Sequence, residues 1–329
     1  MPFDVWAGLG NRTLTPGARR MVTLAGTSWP FDRASQHMLE FCHLSVSDDV
    51  IERVCQEEGK AAGAWMEASE EPVKSFAKAK GLLEFSTDGV KINTVGGWRE
   101  MRLSVLAKRQ PASACEAAQW DKRVLNEPTA RLASCMIAKA GRVGASWKRL
   151  ARRMGLQHSE ELSVIADGAK WIWEQAAKRL SPKAQWCVDI YHVSQHLHAC
   201  GKGLLGEGMA ARAWADERLM HLLTHDGVGL IRRLQEERQD WSEPTHLRAI
   251  DGLLDYLNDN RDSLWYSQRL REGLPIGSGL IEGACKNTIG ARLKANSARW
   301  RIRRVERIGA LRCLDYSGQW EAYWRTKAA

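Results

Sequence analysis

Two strand-like segments each carry an Asp followed by Gly: Asp88 in "STDGV" and Asp167 in "IADGA". In an open sheet with a parallel portion, neighbouring strand ends form the crevice where ligands bind, so the two carboxylates could meet there. Carboxylates in contact repel each other unless divalent cations hold them ionised, and such oxygen ligands suit Mg²⁺ or Mn²⁺. The alternative is local, with Asp167 as a helix cap and Asp88 in a bulge, because Asp and Gly both favour turns.

A third carboxylate, Glu282, lies in "GLIEGACKN", a predicted helix that follows the Pro- and Gly-rich turn "EGLPIGSG". Lys286 lies one helical turn later, on the same face as Glu282. A base that can contact a phosphate thus stands beside an acid that can hold a metal ion. Together with the two Asp residues, Glu282 predicts a site for Mg²⁺ or Mn²⁺.

The segment "CVDIYHVSQHLHAC" is a second candidate site. Its side chains able to bind zinc are Cys187, His192, His196, His198 and Cys200. Only His192 and His196 share a helical face, so the spacing is poor for zinc. If the strand ends near Tyr191, His192 lies at its tip, beside the strand of Asp167. There His192, with Asp189, could bind a DNA phosphate or orient a catalytic carboxylate. A surface or interface histidine is the other interpretation.

The alternation of apolar and polar residues predicts the elements that carry these side chains. Strands are expected in "LEFSTDGVKI", "WREMRLSVLAK", residues 130–138, "ELSVIADG" and "KAQWCVDIYHV". "GRVGASWKRLARRMGL" and "AKWIWEQAAKRL" are helical in pattern, as are residues 194–271. The order predicts an α/β fold with a mixed sheet flanked by helices.

The N-terminal part has a helical period over residues 17–63, with Ser47 placed to cap a helix. Two helices with a tight join are typical of a helix-turn-helix. The second helix, however, carries acids at positions 48, 49, 52, 57 and 58, which suit phosphates poorly. A purely structural helical bundle is the equal alternative.

Charge is concentrated near the C-terminus. The 329-residue chain has a net charge of +9, and residues 286–312 hold nine basic residues against one acid. This favours a polyanionic partner, with a solvated helix face as the alternative. The candidate nucleic-acid contacts are Lys286, Arg292, Lys294, Arg299, Arg301, Arg303 and Arg304. The eight cysteines form no CxxC pair, and no apolar run is long enough to span a membrane. With no signal-peptide pattern at the start, we expect a cytoplasmic protein.

At these residues the chain resembles the DDE transposases of bacterial insertion sequences, most closely the ISKra type. The resemblance rests on four ordered blocks that lie within roughly residues 15–325. They are "STDGV" with "GGWREMRLSVLAK", then "VIADGAKWIW", then "VDIYHVSQHL", and finally "LPIGSGLIEGACKNTIGARLK" with "ALRCLDYSGQWEAYW".

The resemblance implies an RNase H-like sheet with a helical insertion before the last acidic residue and a helical N-terminal domain. The domains would span residues 1–80 (helical), 81–193 (first catalytic part), 194–272 (insertion) and 273–329 (last catalytic part). Asp88, Asp167 and Glu282 would be the catalytic triad that binds two Mg²⁺ or Mn²⁺ ions, while Asp189 and His192 match an accessory D-x-x-H pattern. The implied activity is cleavage and strand transfer of double-stranded DNA by a homo-oligomer at the bacterial nucleoid.

Relatives of this kind begin with a cysteine-rich zinc-binding segment, whereas this chain starts "MPFDVWAGLG" and has its first cysteine at position 42. The start is therefore expected to be shortened. Two other functions stay open on the sequence. One is a catalytically inactive, transposase-derived DNA-binding protein, and the other is an RNase H-like nuclease that acts on structured DNA without strand transfer.

Overall fold

A five-stranded mixed sheet lies at the centre of the computed structural model, which describes residues 14–157, 161–294 and 298–328. The strands are β1 Leu82–Thr94, β2 Gly97–Arg109, β3 Ala130–Met136, β4 Ser163–Ala166 and β5 Gln185–Val188. Their order across the sheet is β3-β2-β1-β4-β5. β1, β2 and β3 pair antiparallel, whereas β4 is parallel to both β1 and β5. The predicted α/β class with a mixed sheet is confirmed.

Helices surround this sheet and account for most of the remaining described chain. They are α1 Pro16–Ser28, α2 Phe31–Cys42, α3 Asp48–Ala68, α4 Glu71–Lys78, α5 Ala140–Met154, α6 Lys170–Arg179, α7 Ile190–Leu205, α8 Met209–Glu237, α9 Pro244–Asp259, α10 Tyr266–Arg271, α11 Gly279–Ala284, α12 Ile302–Tyr316 and α13 Trp320–Ala328. α11 continues through a π-helical stretch, Cys285–Gly290, into the turn Ala291–Leu293. Short 3₁₀ turns span Ala117–Lys122, Arg238–Asp240 and Arg261–Ser263. Within the described ranges, no helix is both long enough and apolar enough to cross a membrane.

The end of β5 corrects one expectation from the sequence. The strand was predicted to run through "KAQWCVDIYHV", but it stops at Val188 and α7 begins at Ile190. Asp189 caps this helix, since its carboxylate accepts a hydrogen bond of 3.1 Å from the backbone N–H of Tyr191. His192 therefore lies in the first turn of α7 and not at a strand tip.

Successive residues of β2 face opposite sides of the sheet, as the pleat requires, so its apolar side chains contribute to two different cores. Met101, Leu103 and Val105 share a core with α1, α2, α3 and α12. Leu106 faces the opposite side of the sheet and packs with residues of α4, α5 and α6. A third core joins the buried residues of β5 to α7, α8, α9 and α10. The helical block predicted over residues 194–271 thus stands against the parallel edge of the sheet.

α3 is fixed by its acidic side chains, and Ser47 caps it as predicted, accepting from the N–H of Val50. Glu58 is almost fully buried and pairs with Arg19 of α1. Glu52 pairs with Arg304 of α12 at 2.6 Å. The helices approach so closely that a Cβ on Gly59 would lie 2.3 Å from the Arg307 carbonyl oxygen. These acids hold helices together within the chain.

Candidate functional site

Asp88 and Asp167 lie level with each other on neighbouring parallel strands. Ser86 of β1 lies opposite Ile165 of β4, and its hydroxyl donates a 2.6 Å hydrogen bond to the Ile165 carbonyl. Asp88 and Asp167 each come two residues after this pair, and both are exposed. The pairing of β1 with β2 continues through Asp88 without an inserted residue, so Asp88 lies in a regular strand.

The turn that follows β4 also uses Asp167 locally. Its carboxylate accepts a 2.9 Å hydrogen bond from the backbone N–H of Ala169, just before α6. Gly168 has φ of +88°, a conformation that other residues rarely adopt. This bond closes a local turn before α6 and does not cap the helix, because Ala169 is the N-cap residue and no side chain caps α6. The Asp167 carboxylate stays exposed at the end of the strand.

Glu282 reaches the same side of the sheet from α11, which lies against β1 and β2. Its carboxylate is partly exposed and stands 3.6 Å from the ammonium nitrogen of Lys286. The two side chains share one helical face, as the spacing predicts. Because the Lys286 side chain is 77% exposed, this pair is a loose one that a competing anion or cation can separate.

Asp189 connects the end of β5 to the loop that precedes Glu282. One of its buried carboxylate oxygens accepts a hydrogen bond of 2.7 Å from the Ser278 hydroxyl, and the other accepts from the Ser278 N–H at 3.2 Å. The same hydroxyl oxygen lies 3.3 Å from a carboxylate oxygen of Glu282. Asp189 thus fixes the position from which α11 starts, and with it the position of Glu282.

Electrostatics couple these acids to one another. Desolvation by the surrounding protein raises the pKa of Asp88 most, and the hydrogen bond from the Gly89 N–H lowers it. The negative charges of Asp167, Glu100 and Glu282 then raise the pKa of Asp88 further. Burial likewise raises the pKa of Asp189, and the charge of Glu282 adds to this. The carboxylates are therefore near enough to repel one another.

The chemistry of this donor set fits a divalent cation. Three carboxylates supply hard oxygen ligands, and their repulsion is what a bound cation relieves. No group of three or more His, Cys, Asp or Glu side chains in the described ranges is already gathered as a metal site. Asp88, Asp167 and Glu282 would therefore hold an ion only after their exposed side chains turn towards each other.

No protein-family model matches this chain, and no curated protein matches its sequence. Any function assigned to it must therefore follow from its own residues and their arrangement.

The second candidate site separates into two parts in the structure. Cys187 and Cys200 are buried in the apolar core formed with the helical block. His198 is exposed and lies 3.5 Å from Asp216. The ring of His192 is 5.1 Å from that of His196, whose ring stacks on another aromatic side chain. The five residues considered for zinc therefore do not face a common point.

Only part of the basic segment is exposed to a partner. The prediction that Arg292 contacts nucleic acid is wrong. Arg292 is 3% exposed, and its guanidinium lies 4.8 Å from the Phe31 ring and 5.3 Å from the Trp300 ring. Burial lowers the pKa of Arg292 to about 10. We conclude that Arg292 stabilises the core and is not a nucleic-acid contact. The remaining predicted contacts are exposed: Lys286, Lys294, Arg299, Arg301, Arg303 and Arg304.

Arginines at the start of α12 line a groove against the turn between β1 and β2. The backbone of Trp300 anchors this turn, accepting from the Val95 N–H at 2.9 Å and donating to the Asn93 carbonyl at 3.0 Å. Arg303 and Arg304 lie in the first turn of α12, where the positive end of the helix dipole disfavours basic residues. No acid in that turn compensates for their charge. An anion in the groove would offset this clustering of positive charge.

Sequence reasoning missed three polar residues of this region. Glu100 pairs with Lys91 in the hairpin, so the register alone does not point to Asp88. Its side chain instead folds back along the strand, and its carboxyl carbon would lie 2.6 Å from a Cβ on Gly89. Ser278 precedes Glu282 by four residues, a spacing that puts both on one helical face. Tyr256 of α9 has no sequence signal of its own, since it lies within an ordinary helical period.

Proposed function

We propose that this chain is a DDE transposase with an RNase H-like catalytic domain, which cuts DNA at the ends of an insertion sequence and joins it to a target. The observation that carries the proposal is that Asp88 and Asp167 lie level on neighbouring parallel strands, with Glu282 on a helix packed against β1 and β2. The three acids come from elements far apart in the sequence, and the charges of Asp167 and Glu282 both raise the pKa of Asp88. These carboxylates are exposed or partly exposed, as a site acting on a polymer requires.

The connections of the sheet support the RNase H-like assignment. An antiparallel β1-β2-β3 unit is followed by two parallel strands on the other side of β1, as in the fold that the resemblance implies. A helical block of four helices separates β5 from the helix of Glu282. This matches a helical insertion before the last acidic residue. The domain boundaries at residues 80, 193 and 272 belong to the same proposal.

The reaction would consist of a hydrolysis and then a transesterification, both at phosphorus. In cleavage, a water oxygen bonds to phosphorus and the bond to the 3′ oxygen breaks, which leaves a 3′-hydroxyl and a 5′-phosphate. In strand transfer, that 3′-hydroxyl attacks a target phosphodiester, whose own 3′ oxygen leaves. Two bound Mg²⁺ or Mn²⁺ ions would activate the attacking oxygen and stabilise the leaving oxygen.

The protein supplies ligands, position and charge. Asp88, Asp167 and Glu282 would hold the cations, and Asp189 keeps the start of the Glu282 helix in place through Ser278. Lys286, released from its loose pair with Glu282, would contact a phosphate beside the reacting one. His192, in the first turn of α7, is assigned the accessory role of contacting DNA next to Asp189.

The groove at the start of α12 would bind the DNA backbone. Arg301, Arg303 and Arg304 are exposed there, and contacts of this kind position a duplex without reading its sequence. We propose that two copies of the chain hold paired DNA ends, and that the protein works in the bacterial cytoplasm at the nucleoid. Joining both ends to one target requires such a paired arrangement.

The test uses the DNA that flanks the gene, carried on a plasmid, with the full chain in Mg²⁺ or Mn²⁺. The wild-type chain should cut and join these ends, and Asp167→Asn should abolish both reactions while still binding the DNA. Asp315→Asn, the same change at an exposed position of α12, should act like the wild type. Metal-dependent cutting and joining by Asp167→Asn would contradict the site. Salt-dependent binding by the wild type with no metal-dependent cleavage would favour the DNA-binding alternative.

A further inference from the structure

One buried hydroxyl beside the acids has no partner. The phenolic oxygen of Tyr256 is shielded from solvent and makes no hydrogen bond with any described residue. Buried polar groups in folded proteins are almost always paired, so an unpaired one calls for a physical explanation. Tyr256 belongs to α9 of the helical block, a part of the chain that supplies none of the three triad carboxylates.

Contacts with α7 and with the end of α9 fix the position of Tyr256. Its ring stacks on the His196 ring with centroids 3.7 Å apart and planes 13° apart, and the His192 ring meets it edge-on at 6.3 Å. One turn later on α9, the Asn260 amide donates to the Tyr256 carbonyl at 2.9 Å. The hydroxyl is therefore held in place before any ligand binds.

α9 also lies directly against the turn that carries Asp167. A Cβ added to Gly168 would come within 3.1 Å of the Asn260 side-chain oxygen. That oxygen also accepts a 3.2 Å hydrogen bond from the Trp173 indole of α6. The end of α9 and the Asp167 turn are thus one packed unit, and Tyr256 lies one helical turn back from this contact.

Two carboxylates lie within electrostatic reach of the hydroxyl. Burial raises the pKa of Tyr256 most, and the negative charges of Asp167 and then Asp189 raise it further. Asp189 already accepts three hydrogen bonds, from the Tyr191 N–H and from the N–H and hydroxyl of Ser278. Asp167 accepts one from the described residues, at 2.9 Å from the Ala169 N–H, and so has more acceptor capacity left.

We infer that Tyr256 is a positioning residue of the proposed site, whose hydroxyl donates a hydrogen bond to the Asp167 carboxylate when that carboxylate turns to bind a divalent cation. The inference rests on the proposed function, and it makes the helical block a part of the metal site. Hydrogen bonds to ligating carboxylates orient them, and removing such a bond typically weakens metal affinity or activity. Tyr256 would perform this task for the central carboxylate.

The first test measures Mn²⁺ binding to the full chain without DNA, from the electron paramagnetic resonance signal of free Mn²⁺. Tyr256→Phe removes only the hydroxyl and keeps the ring on His196, so it should fold normally, as circular dichroism and thermal melting can verify. It should weaken Mn²⁺ binding by about 10- to 100-fold. Tyr316→Phe removes the same hydroxyl from a tyrosine at the end of α12, where the ring lies under Arg131 of β3. This variant should bind Mn²⁺ like the wild type.

A second test separates positioning from a structural role by kinetics. Cleavage by Tyr256→Phe should recover towards the wild-type rate at high Mn²⁺, whereas cleavage by Asp167→Asn should not recover. Mn²⁺ binding by Tyr256→Phe as tight as that of the wild type would overturn the inference and leave the proposed function intact. A wild type that binds Mn²⁺ no better than Asp167→Asn would overturn both.

Discussion

Replacing Asp88 by Asn should stabilise the protein in the absence of divalent cations. The pKa of Asp88 is raised, first by desolvation and then by the charges of Asp167, Glu100 and Glu282. A carboxyl group whose pKa is raised by folding contributes stability at low pH, and that contribution is lost as the pH rises through the folded-state pKa. At neutral pH the ionised Asp88 therefore destabilises the fold, and an uncharged Asn removes this repulsion.

The size of the effect is limited by exposure. Like charges at the surface interact by about 0.2–1 kcal/mol per pair, because water and salt screen them. Asn keeps the oxygen that accepts the 2.6 Å hydrogen bond from the Gly89 N–H, so little else is lost. We expect Asp88→Asn to raise the free energy of unfolding by about 0.5–1 kcal/mol at neutral pH. For a chain of this length the corresponding rise in Tm is only about 1 °C.

Urea unfolding followed by circular dichroism, with chelator present, resolves a change of this size. The gain should be largest at about pH 8 and should shrink as the pH falls towards the ordinary pKa of an aspartate, because Asp88, whose pKa is raised, then takes up its proton in the folded state. Saturating Mg²⁺ should reverse the order, because only the wild type keeps all three ligands. Asp315→Asn controls for loss of a negative charge elsewhere. A destabilised Asp88→Asn at about pH 8, or a gain that does not shrink as the pH falls, would refute the proposed repulsion.

Two further predictions concern the ion pairs and the basic groove. Glu58→Gln should lower the free energy of unfolding by about 2 kcal/mol, because it removes the buried acidic partner of Arg19 and leaves that guanidinium only the half-exposed Glu57. Hydrogen bonds from Tyr323 and Arg19 outweigh burial and lower the pKa of Glu58, so this stability should be lost as the pH falls through that lowered pKa, as acid unfolding can show. The double variant Arg301→Gln with Arg303→Gln should reduce the slope of log K against log salt for DNA binding by about 1.8. Arg292→Gln, in contrast, should lower Tm and leave that slope unchanged, and equal slopes for both variants would contradict the assignment of the groove.

The positions of Asp88 and Asp167 could be predicted because strand patterns are local. Alternation of apolar and polar residues marks β1, and a short buried run marks β4, so an Asp at a given place in each is visible in the sequence. The parallel pairing that puts them level was only an expectation, since pairing depends on contacts between distant segments. It is the pairing of Ser86 with Ile165 that brings the two carboxylates together.

The end of β5 could not be predicted for a physical reason. "WCVDIYHV" is apolar on both sides of Asp189, and a buried strand and the first turn of a buried helix look alike in such a run. The side chain of Asp189 decides between them by accepting the Tyr191 N–H. Ser278 and Tyr256 were missed for a related reason, because their value lies in contacts with residues from other elements.

Counting charges along the sequence overestimated the surface available to DNA. Glu306, the one acid of the basic segment, faces β3 and accepts a 3.0 Å hydrogen bond from the Ile137 N–H, so it does not offset its basic neighbours at the surface. Glu52 of α3, in contrast, neutralises Arg304, and Arg292 is buried. The acids that seemed to make α3 a poor partner for phosphates are therefore largely used inside the protein.

The proposed DNA-binding surface is therefore smaller than the basic segment of the sequence. Arg301 and Arg303 stand in the groove without an acidic partner among the described side chains, at a helix end whose dipole adds positive potential. Lys286 is loosely paired with Glu282, and it loses this partner when that carboxylate turns to another positive charge. Binding of a cation by the acids would thus also release a base for the phosphate. Metal binding and DNA binding are then expected to strengthen each other, by the reciprocity that links any two coupled sites.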